Sequence, residues 1–79
     1  MKNRERLIQV NDICIGTNIK RIRKEKNLRQ KDVLAKLQLM NIDISLSSYS
    51  KIESGVQNPT VSLLYALTKI FQCDFNSFF

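Results

Sequence analysis

Residues 30–55 read QKDVLAKLQLMNIDISLSSYSKIESG and carry the chain's most suggestive chemistry. Gln30 stands at the start of a helix, where unpartnered backbone amides and the helix dipole favour an anion. Its side chain can also donate to a phosphate. Farther along, Leu46, Ser47, Ser50 and Lys51 occupy a second short helix. Lys donates to guanine, Ser to several base edges, and Leu can meet a thymine methyl. Nucleic-acid recognition needs phosphate donors for position and base-edge groups for sequence. Each residue also has a plainer reading. Gln30 is then an ordinary polar helix start, the serines solvate a helix, and Leu46 is an exposed apolar residue.

Covalent chemistry finds little here. The chain has no His, its 7 Asp/Glu are scattered, and nothing pairs a nucleophile with a base. Cys14 and Cys73 lie far apart with no His or further Cys beside them, a pattern that opposes a metal site. Both read as small core or interface hydrophobes in a reducing cytosol, so a cytoplasmic protein without cofactor is expected. There is no apolar run of membrane-spanning length and no secretory signal pattern.

The groups that matter must be held by helices. Ile15, Ile19 and Ile22 fall at i, i+4 and i+7, which predicts a first helix over residues 13–26. Lys20, Arg21, Arg23 and Lys24 fill the rest of its surface, and Asn27 suits a left-handed terminator. A second helix follows over residues 30–40, with Val33, Leu34 and Leu37 apolar. Ser45 offers a hydroxyl cap to a third helix over residues 46–54, with Tyr49 and Ile52 facing inward. Gly55 stops that helix, and Pro59 argues against its continuing. Thr60 caps a fourth helix carrying Val61, Leu64, Leu67, Ile70 and Phe71, and Asp74 caps a final turn with Phe75, Phe78 and Phe79. Two short helices joined closely in a small basic protein are the layout by which one helix braces another in the major groove of DNA.

The ordered set of residues resembles the lambda-repressor-like, or Xre, helix-turn-helix family over about residues 13–79. The matching positions are Ile15-Gly16, Ile19 to Arg23, Leu28, Gln30, Val33-Leu34-Ala35, Ser45, Ser50 to Glu53, Gly55 and Pro59. Residues 64–71 are similar to the family's fourth helix and residues 74–79 to its short fifth. The resemblance implies an all-α, compact five-helix bundle with the helix-turn-helix in helices 2 and 3. It implies base contacts from Leu46, Ser47 and Lys51, with Ser50 in second rank. Phosphate contacts are expected from Arg23, Arg29, Gln30, Lys31 and Asn58. Arg23 and Glu53 resemble a recurring pair that links helix 1 to the end of helix 3, an Arg fork holding a carboxylate while still reaching a phosphate. Two departures stand out. Helix 2 and its loop are longer than in compact members, with Asn41 where Gly is usual, and Val56-Gln57-Asn58 lacks the basic residues many relatives carry there.

The charge distribution fits a polyanion partner, although a solvated basic face would look the same. Residues 1–36 hold 11 of the 13 Lys/Arg and 4 of the 7 Asp/Glu. Residues 1–12, MKNRERLIQVND, form an N-terminal arm outside the match. A short helix, a strand, disorder or a frayed end with a few docked apolar residues all suit them. A chain of 79 residues makes one domain and buries only about 60% of its extended surface, so a partner subunit would help.

These features together predict sequence-specific binding to double-stranded DNA by a small bacterial or phage transcriptional regulator. A homodimer on an inverted-repeat operator is expected, with Phe78 or Phe79 at the interface while Phe75 folds back on the core. The alternative is a protein-interaction module, such as an antitoxin or adaptor, with DNA binding secondary or lost. The absence of Arg, Gln and Asn from the outward positions of helix 3 keeps that alternative open.

Overall fold

The computed structural model describes residues 14–79. The proposed N-terminal arm, residues 1–12, and the expected helix start at residue 13 lie outside them. Four α-helices follow in order: α1 (Ile15–Glu25), α2 (Gln30–Leu39), α3 (Leu46–Glu53) and α4 (Val61–Phe71), then a 3-10 turn, Phe75–Phe78. No strand occurs among the described residues. The expected five-helix count is therefore corrected to four helices and a 3-10 turn. Four residues between Asp74 and Phe79 are too few for α-helical geometry to establish itself. Asp74 precedes that turn but makes no side-chain cap; the turn is closed by its backbone carbonyl, which accepts from the Ser77 amide at 2.9 Å.

Hydroxyl caps start the two central helices of the second half. The Ser45 hydroxyl accepts from the Ser48 amide at 3.0 Å, and that of Thr60 from the Leu63 amide at 3.1 Å. At the start of α2 the Asp32 carboxylate takes the Arg29 amide at 2.8 Å. All four helices end alike, with one left-handed residue: Asn27, Asn41, Gly55 and Gln72, at φ 59°, 64°, 84° and 56°. In each case the next amide reaches back five residues, as from Leu28 to the Arg23 carbonyl and from Cys73 to that of Thr68. This ending turns the chain sharply and satisfies carbonyls that the helix leaves open.

The core gathers Ile15, Ile19 and Ile22 of α1, Val33 and Leu37 of α2, Tyr49 and Ile52 of α3, and Leu63, Leu64, Ala66, Leu67 and Phe71 of α4. Phe78 joins them, fully buried and edge-on to Phe71 with ring centroids 6.4 Å apart. The Asn18 side chain donates to the Phe78 carbonyl at 2.8 Å, tying α1 to the final turn. α1 also crosses α3 at very close range. A Cβ added to Gly16 would collide with the carbonyl oxygens of Ile52 and Glu53, the latter at 2.9 Å. Only a residue without a side chain permits that approach.

Candidate nucleic-acid interface

α2 and α3 form the helix pair, and α1 fixes its geometry through a buried ionic contact. Arg23 and Glu53 are 7% and 4% exposed. Arg23 Nε donates to Glu53 Oε2 at 2.7 Å and Nη2 to Oε1 at 3.0 Å, the bidentate fork that suits a guanidinium and a carboxylate. Nη1 donates to the Leu28 carbonyl at 2.8 Å, which fixes the chain between α1 and α2. Gln30, the first residue of α2, donates from Nε2 to Glu53 Oε1 at 3.0 Å and accepts the Ser50 hydroxyl at 2.8 Å. One carboxylate at the end of α3 thus joins three helices.

The electrostatics agree with the geometry. Burial acts to raise the Glu53 pKa, but the hydrogen bonds from Arg23 and Gln30 outweigh it, and the group sits below the ordinary glutamate value. The Glu53 carboxylate in turn raises the Arg23 pKa against the effect of burial. Burial, with the negative charge of Glu53 close by, drives the Tyr49 phenol far upward, so it stays neutral. Both charges of the pair therefore persist across the physiological range.

This network changes the assignment of three candidates. Arg23 is bonded through its guanidinium to Glu53 and Leu28 and is largely buried, so in the free protein its role is to brace α1 against α3. Ser50 presents its hydroxyl to Gln30 and not outward, so in the free protein it is turned away from a base. Gln30 is only half-buried, but both ends of its amide are engaged.

The remaining candidates lie on the surface. Leu46 is 50% exposed, and Ser47 and Lys51 are exposed on the same outward side of α3. Arg29 and Lys31 flank Gln30, both exposed, with Arg29 Nε 3.2 Å from the Asp32 carboxylate. Asn58, also exposed, sits apart in the loop after α3 and lines a cleft with Ile42, Asp43, Ile44, Thr60 and Leu63. Of the two aromatic interface candidates, Phe78 is removed by its complete burial: the core claims it. Phe79 stays 43% exposed, at the end of a ring series in which Tyr65 stacks on Phe75 at 5.0 Å and Phe75 meets Phe79 at 5.3 Å.

Asp32 and Gly16 have structural roles that their positions in the sequence only hint at. Asp32 holds both the start of α2 and the Arg29 side chain, and an acid three residues after a basic helix start is the signal that could have found it. Gly16 permits the α1–α3 crossing; a glycine inside a strongly periodic helix is the corresponding signal.

No described helix is long and apolar enough to cross a membrane. No curated protein and no solved structure matches the chain. The family model described as helix-turn-helix matches residues 19–78, which takes in all of α2, α3 and α4 and most of α1. With that match over most of its length, and with α2 and α3 braced as a pair, the chain belongs to the lambda-repressor-like (Xre) helix-turn-helix family of DNA-binding domains.

Proposed function

We propose that this protein binds double-stranded DNA sequence-specifically and regulates transcription in a bacterial or phage setting, acting in the cytoplasm. The observation that carries the reading is the division of α3. Its inner side, Tyr49, Ile52 and Glu53, is buried, with Glu53 bonded to α1 and α2, while Leu46, Ser47 and Lys51 are exposed. A helix held so firmly, with an outer face free of structural duty, suits insertion into the major groove. Arg29 and Lys31, at the start of α2, are the phosphate contacts in this reading, with Asn58 in the loop after α3. Regulation then follows from occluding or recruiting polymerase.

The outward donors are few, so one copy reads little sequence. The working form in this proposal is a symmetric dimer on an inverted repeat, in contact through Phe79 and the neighbouring Tyr65. DNA shape and half-site spacing supply the rest of the specificity.

Selection of bound duplexes from a random pool tests the reading, followed by the salt dependence of binding to an enriched site and to random duplex. The expected results are one enriched motif and a steep loss of affinity with salt. No enrichment, with affinity indifferent to salt, would leave a protein-interaction module as the better description.

A further inference from the structure

Among the described residues, one buried side-chain polar atom makes no hydrogen bond: the Tyr49 hydroxyl. Tyr49 is fully buried, and a hydroxyl left unpaired in a core weakens the fold. Phenylalanine would fill the same space without that penalty, so packing does not explain the oxygen. Tyr49 stands one turn before Glu53 on α3, the i, i+4 spacing that brings two side chains together. Its hydroxyl lies beside the Arg23–Glu53 fork, where burial and the carboxylate charge keep the phenol protonated. A donor and an acceptor are thus neighbours with no bond between them. Glu53 already holds three other donors. Oε2 takes Arg23 Nε at 2.7 Å, and Oε1 takes both Arg23 Nη2 and Gln30 Nε2 at 3.0 Å. These donors are not equally fixed. Arg23 is buried and also bonded to the Leu28 carbonyl. Gln30 is only half-buried and opens α2, where backbone amides favour an anion. Gln30 Nε2 is the donor that can be drawn away.

We infer that Tyr49 is a positioning residue for Gln30: its hydroxyl donates to Glu53 in place of Gln30 Nε2 when that amide turns outward to a phosphate of duplex DNA. The inference rests on the DNA-binding reading above. The exchange keeps the number of hydrogen bonds on the carboxylate constant. Glu53 trades one donor for another, and the unpaired hydroxyl gains an acceptor. Release of Gln30 then strands no buried group. Arg23 stays on Glu53 throughout, so α3 keeps its angle to α1. Without the hydroxyl, the same movement strips a donor from a buried anion, and Gln30 is held back from the phosphate.

Tyr49→Phe tests this, with melting temperature and duplex affinity measured on the same protein. Affinity for a duplex carrying one half-site of the selected motif should fall about tenfold, roughly the worth of one hydrogen bond to a charged group. The melting temperature of the free protein should stay the same or rise, because the variant loses only an unpaired hydroxyl. The selected motif should not change, since a phosphate contact carries no sequence information. In a Gln30→Ala background no amide leaves Glu53, and Tyr49→Phe should have no further effect on affinity. Wild-type affinity in Tyr49→Phe overturns the inference, as does an equal fall in both backgrounds. A melting temperature that drops along with affinity overturns it too and makes the hydroxyl a donor of the free fold. The wild type separates the two readings. If it binds duplex with a steep salt dependence and Tyr49→Phe binds as well, only this inference fails; a wild type that binds no duplex ends both.

Discussion

The Ser50 hydroxyl donates to Gln30 Oε1 at 2.8 Å, so a residue of α3 is bonded to the residue that opens α2. Ser50 is therefore a positioning group for Gln30 in the free protein, and under the proposed mode of binding base discrimination falls to Lys51 and Ser47. Lys51→Ala should relax preference at one or two operator positions at a cost of roughly 1–3 kcal/mol. Lys31→Ala and Ser50→Ala should weaken all duplexes alike, the first by losing a phosphate donor and the second by loosening Gln30. Repeated selections with each variant check this; a Lys51→Ala, Ser47→Ala double variant with unchanged base preference would remove both residues from the reading surface.

The Arg23–Glu53 fork should behave as one unit. In a double-mutant cycle with alanine at each position, the coupling should exceed the ~0.3–0.5 kcal/mol within which independent sites add. Either single variant leaves a buried charge without its partner, and about 3–5 kcal/mol is the usual cost. The pH dependence has a definite sign. Because the native Glu53 pKa is depressed, its contribution is fully present above the ordinary Glu value of about 4.3 and is lost as pH falls from there through the native value. Chemical denaturation at a series of pH values should show that acid limb in the wild type and a flatter one in Glu53→Gln.

Gly16→Ala should destabilise the protein although alanine is the better helix former. The added methyl group meets the backbone of α3, which cannot move aside as a flexible side chain would. A cost of about 1–3 kcal/mol is expected, as for other overpacked sites, read as a lower melting temperature. A melting temperature equal to or above that of the wild type would mean that α1 and α3 are farther apart.

Gln72→Gly should have the opposite effect. Gln72 is held in the left-handed region at φ 56°, where a Cβ is penalised by roughly 1–2 kcal/mol and glycine is not. After the entropic cost of glycine, a gain of roughly 0.5–1 kcal/mol remains. Thermal unfolding of the two proteins side by side decides it.

Dimerisation should depend on Phe79 and not on Phe78. Phe79→Ser should leave the monomer folded and weaken the complex on an inverted repeat with half-sites about 10 base pairs apart, while affinity for a single half-site persists. Phe78→Ser should unfold the domain, because it places a hydroxyl in the core. Sedimentation with and without operator duplex is the measurement. A one-to-one complex on the selected site would exclude the dimer.

Local signals were the legible ones. The isoleucine stripe of α1, the Ser45 and Thr60 caps, and the left-handed endings at Asn27 and Gly55 all rest on a few neighbouring residues, which a sequence displays directly. What could not be read depends on partners distant along the chain. Ser50 and Gln30 are 20 residues apart, and nothing in either segment announces that they bond to each other. Phe75, Phe78 and Phe79 are alike in type and closely spaced; only the position of α4 and Phe71 decides that Phe78 enters the core and Phe79 stays outside. Gln72 went unread because glutamine carries no preference for the conformation it adopts; the geometry of the α4 ending imposes it.

The two sides of α3 are open to change on different terms. Tyr49 and Ile52 belong to the core and Glu53 is bonded to α1 and α2, so a substitution there must be matched elsewhere before the chain folds again. Leu46, Ser47 and Lys51 answer to none of those helices. Under the proposed mode of binding, descendants of this chain could exchange one operator for another by single substitutions at these three positions, with folding left intact at every intermediate. Divergence of target sequence would then be gradual, while the architecture that presents the helix stays nearly frozen.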